Sequence, residues 1–137
     1  MALTPHIYVA CGIIERDGLV LAARRGASKP MGLKWEFPGG KIEAGESVEE
    51  CVRRELWEEM SIRVAITAAL PSLTHQYPDL CVTLYPVVCK IVCGEIVLNE
   101  HAAIKWLPAG ALASLDWVEA DFAVIDSYLA GGMLSTA

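Results

Sequence analysis

Polar and apolar positions change their spacing several times along the 137 residues, and each change predicts an element. From His6 to Arg24 the chain is apolar and is broken at Asp17-Gly18. An Asp-Gly pair between apolar runs is a strong hairpin signal, so residues 6–15 and 18–24 read as two strands around a turn. Residues 25–34 (RGASKPMGLK) are a polar loop, and residues 35–39 (WEFPG) are a short strand ended by Pro38 and a glycine pair. The spacing then becomes four. Val48, Val52, Leu56 and Met60, with Cys51 beside them, make an apolar stripe that faces a core. Ser47 stands before it and Glu50 three residues later, which is the capping-box spacing. A helix from about Val48 to Met60 is expected. Residues 63–75 and 80–93 read as two long strands, with Tyr77-Pro78-Asp79 in the turn. The second contains VTLYPVVCKIVC, apolar on both faces, as a central strand must be. Residues 103–107 suit a short strand, Pro108 opens a helical turn, and Glu119 to Leu129 suits a last amphipathic helix. Strands with helices interspersed predict an α+β fold with a mixed, partly antiparallel central sheet packed by helices.

Composition narrows the class. At 137 residues, 54% hydrophobic and 20% charged, the chain has one domain's worth of sequence and enough apolar material for a core. No apolar run approaches the ~20 residues that span a bilayer. The first strand soon meets Glu15, Arg16 and Asp17, so it is not a signal peptide, and the expected compartment is the cytoplasm. The five cysteines are odd in number and lack a CxxC pair, so buried free thiols are expected rather than a zinc site or disulfides. The net charge of −6 argues against duplex nucleic acid as a partner. Monomer and homodimer both remain open.

The charge is concentrated. Between Glu36 and Glu59 eight acids face three bases. Glu55, Glu58 and Glu59 stand at i, i+3 and i+4 on the predicted helix, so three carboxylates share neighbouring positions of one face. Glu46 and Glu43 lie just before it. Such a cluster repels itself unless it is solvated or bridged by cations, and Mg²⁺ takes oxygen ligands of this kind. Arg54, at i,i+4 from Glu58, is placed to hold a carboxylate by a bidentate contact. A solvated charged helix face is the alternative.

The flanking pattern decides between them. GKIEAGESVEECVRRELWEEMSI, Gly40 to Ile62, resembles the Nudix box, G-x5-E-x7-R-E-U-x-E-E-x-G-U, with U a bulky aliphatic. Gly40, Glu46, Arg54, Glu55, Leu56, Glu58, Glu59 and Ile62 fall on eight of its nine specified positions. The ninth holds Ser61 where the family has Gly, just past the helix, where a left-handed backbone is favoured. Serine there costs about 1 kcal/mol of strain or shifts the turn. WEFPGGKIEAGES, the Arg24-Arg25 pair and the overall length are similar to the MutT branch, which hydrolyses nucleoside triphosphates.

That resemblance implies a single Nudix domain over residues 1–137, an α/β/α sandwich. It implies a Mg²⁺-dependent reaction, with Mn²⁺ an alternative ion, that releases a nucleoside monophosphate and pyrophosphate and cleanses the nucleotide pool. It implies the Gly40 carbonyl, Glu55, Glu58 and Glu59 as metal ligands. Glu100, in the loop six residues before Trp106, falls where the family places a further acid, as ligand or general base; an exposed loop acid is the plain alternative. Arg54, Glu55, Glu58 and Glu100 are therefore the candidate catalytic group. Hydrolysis of another nucleoside diphosphate derivative, such as ADP-ribose or a dinucleoside polyphosphate, and a non-catalytic sensor module are the competing functions. Retention of all three box acids argues against the sensor.

The substrate pocket is read from residues outside the box. Arg25 resembles a phosphate- or base-contacting arginine, and Phe37 a base-packing position. Tyr77 is a further candidate. Asp121 falls where the branch member for oxidised dGTP carries an Asn that reads the purine edge. CTP pyrophosphohydrolases and human-type oxidised-purine hydrolases are similar here and use acids. A carboxylate only accepts hydrogen bonds, whereas its protonated form also donates. A plain helix N-cap is the other reading of Asp121. His75 and His101 are not needed for metal chemistry.

Overall fold

The computed structural model describes residues 4–131, so the two ends of the expected 1–137 domain lie outside the described residues. The strands are β1 (His6–Arg16), β2 (Leu19–Arg24), β3 (Trp35–Glu36), β4 (Gly39–Lys41), β5 (Arg63–Ala69), β6 (Leu73–Tyr77), β7 (Leu80–Cys93) and β8 (Ala103–Leu107). The helices are α1 (Val48–Met60) and α2 (Glu119–Gly131), with a 3-10 turn at Ala109–Ser114. The turn after β1 has positive φ at both Asp17 (55°) and Gly18 (77°), the backbone an Asp-Gly hairpin favours.

β1 organises the sheet. It pairs in parallel with β7 over nine residues, from His6↔Cys81 to Ile14↔Cys89. On its other side it pairs antiparallel with β4 at Val9–Cys11 and with β2 at Glu15–Arg16. β2 carries β3 and β8, and β7 carries β5 and β6. The doubly apolar β7 is thus central, as its pattern predicts.

Side chains alternate across β1. Ala10 and Ile14 face α1 and pack with Cys51, Val52, Leu56 and Met60. Cys11 and Ile13 face the other way, into a core with Phe37, Trp117, Val124 and Ile125. α1 and α2 therefore cover opposite faces of one sheet. α1 rests directly on Gly12, where a Cβ would meet Leu56 at 3.3 Å and Val52 at 3.4 Å.

Three expectations are corrected. The run 63–75 is two strands, β5 and β6, which both pair with β7; Pro71 lies in the break and lacks the N–H that a continuous ladder needs. The run 35–39 divides between β3, on β2, and β4, on β1, with Phe37 and Pro38 crossing between them. Among the cysteines Cys11, Cys51 and Cys89 are buried and free, but Cys81 is half-buried and Cys93 exposed, since they lie at the two ends of β7. No helix among the described residues is long and apolar enough to cross a membrane.

Candidate active site

The helix that carries the acids is locally determined. Ser47 Oγ accepts from the Glu50 amide (3.1 Å) and Glu50 accepts from the Ser47 amide (2.8 Å), a complete capping box. At the other end Ser61 adopts the left-handed conformation, φ 59° and ψ 33°. The Asn99 side-chain amide donates to Ser61 Oγ (3.1 Å) and to the Glu58 carbonyl (3.0 Å). The turn is not shifted, and Asn99 caps it.

Arg54 gathers the carboxylates. It donates to Glu46 through Nε (2.7 Å) and Nη2 (3.0 Å), to Glu55 through Nη1 (2.6 Å), and to Glu58 through Nη1 (3.2 Å). Nη2 also reaches the Lys41 carbonyl (3.2 Å). The expected Glu58 contact is present, but the bidentate partner is Glu46, which the loop 41–47 folds back to present. The Arg54 hydrogen bond holds the Glu46 carboxyl down at about 2. Arg54 in turn is held above its ordinary range by the Glu46 bond.

Glu55 and Glu59 line the cavity together with Gly39, Gly40 and Glu100. Glu59 is 7% exposed and accepts from the Gly39 amide (3.2 Å). Burial, then the charges of Glu55, Glu36 and Glu100, push its carboxyl well above the usual range. Gly40 lies against the Glu55 carboxylate, and a Cβ there would overlap that group. An oxygen-rich cradle closed by a glycine, with one buried acid raised by three others, suits a hard divalent cation. Among the described residues no three His, Cys, Asp or Glu side chains stand together at ligating distance. The reason is visible in the contacts, since Arg54 holds Glu55 and Glu58 while Glu59 turns to Gly39. Glu58 is half exposed and outside the cavity lining, so the three helix acids do not converge on one point as expected.

The cavity, of about 490 Å³, continues from these acids into an apolar pocket. Ile7, Val9, Leu80, Val82 and Leu84 form its wall, and Arg25, Phe37, Tyr77 and Asp121 also line it. Such a volume suits a nucleotide-sized ligand. Asp121 is 4% exposed and its Oδ2 accepts from the Phe37 amide (3.0 Å). Burial pushes its carboxyl up to about 7. The N-cap reading of Asp121 fails, because the residue lies inside the first turn of α2 and its own amide bonds the Val118 carbonyl. The capping is done by Tyr77, whose hydroxyl accepts from the Ala120 amide (3.0 Å). Phe37 is 3% exposed and leans on Trp117 with centroids 4.6 Å apart, so most of its ring serves the core. His75 packs edge-on to Tyr77 at 4.5 Å.

Two residues were not marked as functional from the sequence. Glu36 accepts from Arg25 Nη1 (2.7 Å) and from His101 Nε2 (2.9 Å), and all three line the cavity. Burial raises the Glu36 carboxyl, but the bond from His101 and the Arg25 guanidinium outweigh it, so it titrates below its ordinary value. The available signal was an acid inside the apolar run WEF. Glu100 stands 3.8 Å from Lys29, an exposed and therefore weak pair.

Comparison with known proteins places the chain in a family. Residues 4–128 match the NUDIX domain. The chain is 30% identical to CTP pyrophosphohydrolase of Escherichia coli K12 over 90% of its length and 92% of that protein. It is 34% identical to the 8-oxo-dGTP diphosphatase of the same strain, over 87% of this chain and 93% of that one. Among solved structures it superposes on the solution structure of the E. coli ORF135 protein with a TM-score of 0.80 and 29% identity, covering 93% of this chain and 91% of the other. The fold is thus a known architecture, and the chain belongs to the NUDIX domain family of hydrolases.

Proposed function

We propose that this protein is a divalent-metal-dependent pyrophosphohydrolase that cleaves nucleoside triphosphates, modified ones included, to the monophosphate and pyrophosphate. One observation carries the reading: Glu55 and Glu59 of α1 and the Gly40 cradle open into the same cavity as an apolar, base-sized pocket that ends on Asp121.

The Gly40 carbonyl, Glu55, Glu59 and Glu100 would hold Mg²⁺, or Mn²⁺ in its place, joined by Glu58 once it turns from Arg54 into the cavity. The ion supplies charge neutralisation on the phosphate oxygens and a more acidic bound water. Everything else falls to the chain. Arg54 orients Glu46 and Glu55 around the cavity, and Glu55 would exchange part of that contact for the ion when it binds. Arg25, braced by Glu36 and by the Pro30 carbonyl (2.8 Å from Nε), presents its remaining donors to a triphosphate. Glu100, which lines the cavity, is the carboxylate placed to take a proton from the attacking water, and Glu58 reaches it only on leaving Arg54. The water oxygen bonds to the phosphorus on one side of the α–β bridge, that phosphorus loses its bond to the bridging oxygen, and the electrons leave on the other fragment, so that a nucleoside monophosphate and pyrophosphate result.

The base enters the apolar pocket between the wall of Ile7, Val9 and Leu84 and the edge of Phe37. Asp121 reads its edge. With a carboxyl near 7 it offers acceptors when ionised and a donor when protonated, which suits both amino- and oxo-bearing bases. The relatives named for CTP and for 8-oxo-dGTP act on bases whose edges each carry both amino and oxo groups. We place the enzyme in the cytoplasm, acting on free nucleotides and not on duplex nucleic acid or membrane, as a monomer or homodimer. A panel of canonical, oxidised and methylated NTPs and dNTPs, assayed with Mg²⁺ for pyrophosphate, tests the proposal. Release from at least one substrate, lost in Glu55→Gln and Glu59→Gln, is expected. Release from none overturns it.

A further inference from the structure

The loop between β7 and β8 is mostly exposed, with Ile96 half-buried against the α1 side of the core. Among the described residues from Gly94 to Ala102, His101 alone is buried, with a side chain 4% exposed between the exposed Glu100 and Ala102. A buried polar residue in an exposed loop is an anchor when it has a partner. The partner here is Glu36 on β3, whose Oε2 accepts from His101 Nε2 at 2.9 Å. A carboxylate only accepts, so the ring proton sits on Nε2. Nδ1 is buried and has no hydrogen-bond partner among the described residues. The ring is therefore kept in place by one directed bond and by its packing.

The loop is anchored a second time, on the other half of the site. The Asn99 amide donates to the Glu59 carbonyl (3.1 Å) and its side chain to the Glu58 carbonyl (3.0 Å), at the end of the helix that carries the acids. Ala102 adds a backbone bond to the Arg24 carbonyl (2.8 Å). Glu100 lies between these anchors. It lines the cavity and sits near enough for its charge to act on Glu59. Its direct restraint is weak, a 3.8 Å approach to an exposed lysine.

We propose that His101 is a positioning residue: through Glu36 it fixes the loop so that Glu100 is presented to the acids of α1. The proposal rests on Glu100 acting in the hydrolysis proposed above. Glu36 holds Arg25 with its other oxygen, so one carboxylate sets the cation and the acid on the two sides of the cavity. Partners that orient acting groups typically cost 10- to 100-fold in metal affinity or activity when removed.

The test compares His101→Phe, which keeps the ring's bulk and loses the donor, with His101→Gln, which keeps a donor. Each is made alone and with Glu100→Gln. For His101→Phe, kcat should fall roughly tenfold with KM little changed, since Glu36 still holds Arg25. His101→Gln should recover most of kcat. In the Glu100→Gln background His101→Phe should cost nothing further, whereas a merely structural role would cost the same factor in both backgrounds. In metal-free protein, amide exchange at Ala102 should quicken in the phenylalanine variant and not in the glutamine variant. Should His101→Phe not fold, His101→Asn, too short to reach Glu36, replaces it with the same expectations. Unchanged kcat, an equal loss in both backgrounds, no recovery by glutamine, or unchanged exchange at Ala102 would overturn the proposal. If Glu100→Gln alone keeps full activity, the role of Glu100 in hydrolysis fails instead.

Discussion

Replacing Asp121 by asparagine should change how stability depends on pH. Asp121 is buried, 4% exposed, and its carboxyl is raised from 3.8 to about 7, first by burial. The folded state therefore holds this proton at pH values where the unfolded chain has released it. Stability from this group is complete below the unfolded value and is lost as pH rises through the folded one. A rise from 3.8 to about 7 corresponds to about 4 kcal/mol in total. Some is already gone at pH 5, and on the order of 3 kcal/mol disappears between pH 5 and pH 8.5. The asparagine side chain has no proton to lose, and its oxygen still accepts from the Phe37 amide. Urea unfolding of both proteins at pH 5 and pH 8.5, without metal or nucleotide, measures the difference. Wild type should lose about 3 kcal/mol more than the Asp121→Asn variant over that interval. Other raised acids, Glu59 among them, are common to both proteins and cancel. If the two proteins lose stability in parallel, Asp121 is ionised throughout, and the argument from burial is wrong.

Arg54→Lys keeps the charge but loses the fork that binds Glu46 twice, so kcat should fall roughly 10- to 100-fold in steady-state assays, with the fold unchanged by circular dichroism. Gly40→Ala puts a methyl group into the Glu55 carboxylate; its displacement by about 1 Å should cost on the order of 100-fold in kcat, and activity equal to wild type would refute the cradle. Ser61→Gly removes about 1 kcal/mol of left-handed strain but also an exposed bond to Asn99 worth about 0.5 kcal/mol. A net gain of roughly 0.5 kcal/mol in urea unfolding is expected.

What was legible in the sequence was local. The Asp17-Gly18 turn, the Ser47–Glu50 cap and the Val48–Met60 stripe are written in residues three or four apart, and they gave β1, β2 and α1 to within a residue or two. The Nudix box gave the acids and their helix by its fixed spacing. What escaped depends on the chain returning to itself. Apolar alternation continues on both sides of Pro71, so the step from β5 to β6 shows only in how each pairs with β7. Phe37 looks like a strand residue because the transfer from β2's edge to β1's edge is a tertiary event. The Glu46 fork requires the loop before α1 to fold back. For Asp121 the sequence left pocket residue and helix cap both open, and the Phe37 amide, 84 residues away, is what separates them. His101 sits in a polar loop, and its partner Glu36 is 65 residues distant.

The central claim is that the acids of α1 direct cleavage of a nucleoside triphosphate bound in the adjoining cavity. ³¹P NMR of the reaction with Mg²⁺, run on wild type and on Glu55→Gln, measures it directly. The account predicts resonances of a nucleoside monophosphate and pyrophosphate from wild type, and a loss of about 100-fold or more in the variant. Nucleoside diphosphate and inorganic phosphate as products, or an undiminished rate in Glu55→Gln, would contradict it.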